Sequence, residues 1–188
     1  MTTANIKDKS TIIDILCQSF DINNSVNYVI KQDKNREKRI KSLMDYSFEL
    51  CQRYGKIYLN DERNACALTL FPDQQKTNIS LDIKLIFECI GITRVMKVLK
   101  RNSQIKKVYP QQPISYLLFI GVNPKEQNKG IGSKLLTEII KDSESTQKPI
   151  YLETSMPENL PFYQKFGFTI YRELDFGHKL YLLKREIN

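Results

Sequence analysis

One stretch limits the fold more than any other. Ser115 to Val122 reads SYLLFIGV, an uncharged and largely apolar run. A strand wet on one face alternates apolar and polar residues, whereas a strand covered on both faces stays apolar. The run therefore predicts a strand with a layer on each side. After the polar turn NPKEQNKGIGS, Ile131, Leu135, Leu136, Ile139 and Ile140 recur at helical spacing, with Lys134, Thr137, Glu138 and Lys141 outside. PIYLETS (Pro149 to Ser155) reads as the next strand, and a short helix then runs to Phe166 and stops at Gly167. FTIYREL and HKLYLLKRE read as two closing strands around Phe176–Gly177. Strand, helix, strand, helix, strand is an α/β layout.

The first half reads as helices followed by a hairpin. Ile12, Ile13, Ile15, Leu16 and Phe20 mark one amphipathic helix, and Ile40, Leu43, Met44, Phe48 and Leu50 mark another. KIYLND and ACALTLFP read as strands joined by the turn DERN. A helical stretch is expected from about Ser80 to Arg101, closed by Pro110 and Pro113. At 188 residues, a single domain spanning 1–188 is expected. Within it, 1–113 forms a helical and hairpin half and 114–188 carries nearly all the chemistry.

Apolar residues at 41% and charged residues at 27% match ordinary globular usage, which excludes disorder of the chain as a whole. Cys17, Cys51, Cys66 and Cys89 include no C-x-x-C pair, and His178 is the one histidine, a spacing that fits neither a zinc site nor a compact disulfide framework. Reduced thiols, no export signal and no bilayer-spanning run lead to the expectation of a cytoplasmic protein without a membrane. The net charge of +8 gathers in Lys31–Lys41 and Arg94–Lys107. The first run carries Asp33 and Glu37 and reads as a solvated helix face; the second holds Val95, Val98 and Leu99 at helical spacing. No base-reading motif accompanies either, so nucleic acid is not the expected partner.

The chemistry concentrates in Gln127-Asn128-Lys129-Gly130-Ile131-Gly132-Ser133, between a buried strand and an amphipathic helix. A helix's first turn has unpaired N–H groups and the positive end of its dipole. Glycines let the backbone curl and clear the approach of a phosphate. The spacing alone is a weak signal for a pyrophosphate seat, because glycines in a strand–helix turn often serve turning only.

The order of residues narrows this. G-V-x-P, two residues, then Q-x-x-G-x-G and an apolar helix resembles the acetyl-CoA-binding motif of the GNAT superfamily of N-acetyltransferases, with Gln127, Gly130 and Gly132 at the pattern's defining positions. LETSMPENLPFYQKFGF (Leu152 to Phe168) is similar to the following strand and helix of that family, and most of all to its puromycin N-acetyltransferase-like branch. The resemblance covers about Tyr116 to Phe168. It implies a GNAT (acyl-CoA N-acyltransferase) fold: a mixed central sheet with splayed central strands and flanking helices.

The resemblance also implies roles. Backbone groups of Phe119, Ile120 and Val122 would bond the pantetheine arm of acetyl-CoA, and amides from Gln127 to Ser133 would hold its pyrophosphate. Asn159 would contact the arm, although it also suits a plain helix N-cap. Tyr163 would lie beside the thioester sulfur as general acid, and no metal is implied. The glutamate that many members carry in the strand before the turn is missing, since Ser115 to Phe119 holds none. Glu153, on the neighbouring strand, is the substitute base, either functional or paired. His178 is expected to be a surface turn residue and Ser155 a cap for the following helix. Tyr28, Tyr109 and Tyr116 are candidates to line an acceptor pocket.

The expected reaction is acetyl transfer to a primary amine, here of a small molecule. An α-amine with a pKa near 7.8 is about one part in seven neutral at pH 7, against roughly one in 2,500 for lysine, so a weak base suits the former. Two alternatives stay open: a protein (lysine or N-terminal) acetyltransferase, or a non-catalytic CoA- or nucleic-acid-binding module. Asp61, Glu62, Asp73, Asp82 and Glu88 form no clear acidic cluster for a peptide groove. A monomer or a homodimer is expected.

Overall fold

The computed structural model describes residues 2–187. In chain order the elements are β1 (Thr2–Thr3), α1 (Lys9–Ser19), α2 (Asn24–Val29), α3 (Arg36–Tyr54), β2 (Gly55–Leu59), β3 (Ala65–Leu70), α4 (Ile79–Lys84) and α5 (Val95–Lys106). The second half continues with β4 (Ser115–Val122), α6 (Ile131–Ser145), β5 (Ile150–Thr154), α7 (Leu160–Lys165), β6 (Thr169–Asp175) and β7 (Lys179–Arg185). The strands form one mixed α/β sheet in the order β1-β2-β3-β4-β5-β7-β6. Its pairs are antiparallel except β4 with β5, which run parallel at the centre.

Alternation along the strands sends side chains to two cores. Cys66 and Leu68 of β3, Tyr116 of β4 and Tyr151 of β5 face the core built with α1 and α3. Ala65, Ala67, Leu117, Ile150 and Leu152 face the other, closed by α6 and α7 through Leu135, Leu136, Ile139 and Tyr163. Both faces of β4 are thus covered, as its apolar run requires. α6 is pinned across the sheet by Asp142, which accepts hydrogen bonds from Lys56 Nζ and from the Tyr58 hydroxyl at 2.7 Å. All four cysteines are free; Cys51, Cys66 and Cys89 are buried and Cys17 is half-buried.

The stretch from Ser80 to Arg101 departs from the single helix expected. α4 ends at Lys84, a π-helical turn follows over Leu85–Ile90, and Gly91 breaks the path with φ +75°. A residue with a side chain is strained at that φ, so the glycine sets the corner. α5 then starts afresh and runs to Lys106, burying Val98, Arg101 and Ile105 along one face. Arg94, just before it, falls on the same stripe by helical spacing.

Candidate active site

β4 and β5 pair over only three positions, Ser115 with Ile150, Tyr116 with Tyr151 and Leu117 with Leu152. Beyond Leu117 the strands part, while β4 stays paired with β3 as far as Val122. Leu118 has no Cα partner, a bulge at the point of divergence. Bulges bend a strand and often stand beside functional sites.

The phase of β4 past the bulge follows from its ends. Ala65 spends its backbone on β2, taking the Asn60 side chain on its N–H and the Asn60 N–H on its carbonyl. The Asn123 N–H points to the same flank, donating to Asn64 O at 2.8 Å. Strand alternation then turns Ile120 and Val122 toward the open edge and Phe119 and Gly121 toward β3. The sequence expectation is corrected here: the backbone groups of Phe119 belong to the β3 ladder, and its ring packs edge-on against Phe20 at 4.8 Å. The Val122 carbonyl is also taken, accepting from Ser19 Oγ at 2.9 Å and Gln127 Nε2 at 3.2 Å. The carbonyl of Ile120 and the N–H groups of Ile120 and Val122 are what the edge presents.

The chain then turns through Pro124–Glu126 into α6. Asn128 has φ +64° and Gly130 φ +78°, so the backbone curls twice to bring the helix start under the edge. Gly130 stands at the N-cap and supplies no capping side chain. The first-turn amides of Ile131, Gly132 and Ser133 therefore face outward with the helix dipole behind them, a ready anion seat. A Cβ on Gly132 would meet Val122 only at 3.6 Å and Phe162 at 3.9 Å, an ordinary fit, so internal packing does not demand that glycine. Lys129, in the same turn, pairs its ammonium with Glu126 at 2.9 Å, which reduces the positive charge it lends to the seat.

Tyr163 is buried in the core that holds Leu117 and Leu152, the last residues paired before the strands part. Its ring is wedged edge-on between Phe162 and Phe168, with centroids at 5.2 and 5.6 Å. Burial drives its pKa well above the ordinary phenol value, so it keeps its proton throughout the neutral range. Asn159 is exposed at the start of α7 and makes no side-chain cap bond, which leaves the N-cap expectation unfulfilled.

Glu153 lies on the other face of the sheet, just past the divergence. It pairs with Arg101 Nη2 at 3.1 Å, both side chains being about nine-tenths buried. The Tyr109 and Tyr116 hydroxyls face it, and burial followed by its charge pushes both phenols up. The carboxylate thus sits in a polar cluster rather than alone. Ser155 does not cap the helix after it: its Oγ accepts the Ser25 N–H at 3.0 Å, capping α2 from across the fold. That bond and one from Asn24 Nδ2 to Ser155 O lay α2 over the end of β5.

His178 is half-buried rather than on the surface, edge-on to Tyr28 at 5.3 Å. Burial, then the charges of Arg101 and Lys97, hold its pKa below the usual imidazole value, leaving it neutral at pH 7. Arg101 was hidden in a basic run, yet Val98, Arg101 and Ile105 at i, i+3 and i+7 place it on the buried stripe of α5, a signal the spacing carries. Among the described residues, no group of three or more His, Cys, Asp or Glu is placed to hold a metal, and no helix is long and apolar enough to cross a membrane.

A mixed sheet whose parallel central strands part above an uncapped, glycine-started helix is the fold of the GNAT acetyltransferases. A family model described as an acetyltransferase (GNAT) domain matches residues 87–170. Over 53 residues, 28% of this chain, the sequence is 45% identical to an uncharacterized N-acetyltransferase of Schizosaccharomyces pombe, and the match spans 22% of that protein. The histone acetyltransferase HPA2 and related acetyltransferase of Corynebacterium glutamicum superposes with a TM-score of 0.74 at 17% identity, covering 100% of this chain and 95% of that one. The C-terminal condensation domain of Ebony, in complex with beta-alanyl-dopamine, gives 0.74 at 10% identity over 99% and 97% of the two chains. At such identities the structural likeness establishes the fold.

Proposed function

We propose that this chain transfers the acetyl group of acetyl-CoA to a primary amine of a small molecule by direct attack. The observation that carries the reading is the open edge of β4 at Ile120 and Val122, followed after the turn through Pro124–Glu126 by the uncapped start of α6. An amide-bearing arm adds to such an edge as a strand would, and a diphosphate fits the free amides beyond it. Coenzyme A carries these two features in that order. Ile120 and Val122 would hold the arm, Gln127 to Ser133 the diphosphate, and Asn159 would contact the arm from the start of α7.

Acetyl-CoA supplies a carbonyl carbon activated by its thioester. As the nitrogen–carbon bond forms and the carbon–sulfur bond breaks, the sulfur gains an electron pair. The Tyr163 hydroxyl, which keeps its proton in the neutral range, would give that sulfur a proton. The proton shed by the nitrogen passes to Glu153 through the hydroxyls around it or to water, and water restores the phenol. Arg101 ties the Glu153 carboxylate in place, and the amine expected here is one that is readily neutral. The string Leu152–Phe168 supports a place near the puromycin N-acetyltransferase-like branch, and four free thiols suit the reducing cytoplasm.

Thiol release from acetyl-CoA, followed over a panel of small amines and peptides, tests this. Turnover is expected with small amines. Tyr163→Phe should lower it by roughly 10²–10⁴ while acetyl-CoA binds about as before. Turnover on peptides alone would replace the small-molecule reading, and an unchanged rate in the variant would remove Tyr163 from the mechanism.

A further inference from the structure

Four buried side-chain atoms among the described residues lack a hydrogen-bond partner: Ser25 Oγ, Arg94 Nε, Arg101 Nε and His178 Nε2. Arg94, Arg101 and His178 belong to a single junction, where α2, the α5 stripe and the turn between β6 and β7 meet, while Ser25 stands at the start of α2 beside Ser155. Lys97 of α5 lies 4.1 Å over the Tyr28 ring of α2, and Arg94 donates to the Tyr28 carbonyl. The Tyr28 ring touches Phe176 and His178, and the Arg101 guanidinium lies over Phe176 at 5.6 Å. Arg101 is 8% exposed, and among the described residues Glu153 is its one hydrogen-bond partner. Buried donors left unfilled are costly, and a fold that gathers several at one place is built to receive something there.

The charges say what. Lys97 and Asp175 are exposed, whereas Arg94 is half-buried and Arg101 is buried with Glu153 as its partner, so the covered side of the junction holds two cations to one anion and suits an anionic group. A guanidinium stacked on a ring presents a planar fork, and a carboxylate matches that fork better than other anions of single charge. Glu153, held by the same arginine, lies just past the divergence of β4 and β5 and is the natural neighbour of an amine.

We propose that the junction is the acceptor seat, and that the acceptor is an aminocarboxylate such as a free amino acid. Its carboxylate occupies the unfilled donors of Arg101 with His178 alongside, and its amine lies by Glu153 at the open edge of β4. The proposal rests on the acetyl-transfer reading and narrows its substrate class.

The test pairs free amino acids with their carboxamides as acceptors, read by thiol release, and measures thermal shifts with the same compounds. In the wild-type chain the best amino acid should exceed its amide by about 10- to 100-fold in kcat/KM, mostly through KM. Arg101→Gln should bring that ratio close to one with coenzyme A binding unchanged. Should Arg101→Gln not fold, His178→Ala should still shrink the ratio several-fold. Amides as good as acids in the wild type, or a ratio that survives Arg101→Gln, would overturn the proposal. A Tm raised by amino acids and not by amides, with no thiol release from any amine, would keep the seat and remove the acetyl transfer instead.

Discussion

The turn from Gln127 to Ser133 and the junction around Arg101 both border the open end of β4, yet they are made of different material. The turn is exposed and offers backbone amides freed by two left-handed residues and an uncapped helix. The junction has the buried Arg101–Glu153 pair at its heart and offers side chains from elements far apart in sequence. Backbone recognition depends on a local path, so it tolerates change in most side chains along the turn. Side-chain recognition depends on ion pairs in a dry setting, where each partner stabilises the other. The first suits a ligand common to many acceptors, and the second suits the choice of one.

Breaking the buried pair should have the largest effect on stability. Glu153→Ala leaves the Arg101 charge uncompensated and should cost about 3–5 kcal/mol in denaturant unfolding. Replacing both partners by methionine should restore most of that loss. A cost well under 1 kcal/mol for the single change would mean that the junction is wetter than its burial indicates.

On the other side of the comparison, Gly130→Val places a branched side chain at φ +78° with open space around it. The loss is therefore conformational, about 1–2 kcal/mol, and coenzyme A affinity should fall roughly tenfold with it. Gly132→Ala, whose Cβ finds ordinary contacts, should leave the unfolding midpoint nearly unchanged.

The halves should also part at alkaline pH. All four cysteines lie in the first half, and burial raises Cys17 to about 11 and Cys89 to about 12 from a starting value of 9.0. The unfolded chain then sheds these protons first, so their contribution is fully present below about pH 9 and is lost as pH rises toward 12. The denaturation midpoint should fall through that range, with hydrogen exchange rising first in α1 and α3. A flat midpoint would contradict the burial of these thiols. The smallest effect is expected at Lys129: with its ammonium exposed and paired to Glu126, Lys129→Ala should change stability by no more than about 0.5 kcal/mol.

Much of the second half was legible in sequence because its signals are local. The apolar run of β4, the glycines at 130 and 132 and the Leu152–Phe168 string each speak for a contiguous segment. The phase of β4 was not legible: whether Phe119 or Ile120 turns its backbone to the open edge depends on the register with β3 and on the bulge at Leu118. His178 and Arg101 were missed for a related reason. Their partners stand on other elements, so a lone histidine in a turn and an arginine in a basic run look solvated until Tyr28, Phe176 and Glu153 are brought beside them. Of the two, Arg101 could have been found from its place on the apolar stripe of α5.

Isothermal calorimetry with coenzyme A bears most directly on the central claim, that the open edge and the uncapped helix start grip an extended arm and its diphosphate. The account predicts a saturable single-site heat that weakens in Gly130→Val and persists in Tyr163→Phe. No heat with coenzyme A at millimolar concentration, in protein shown to be folded, would contradict it.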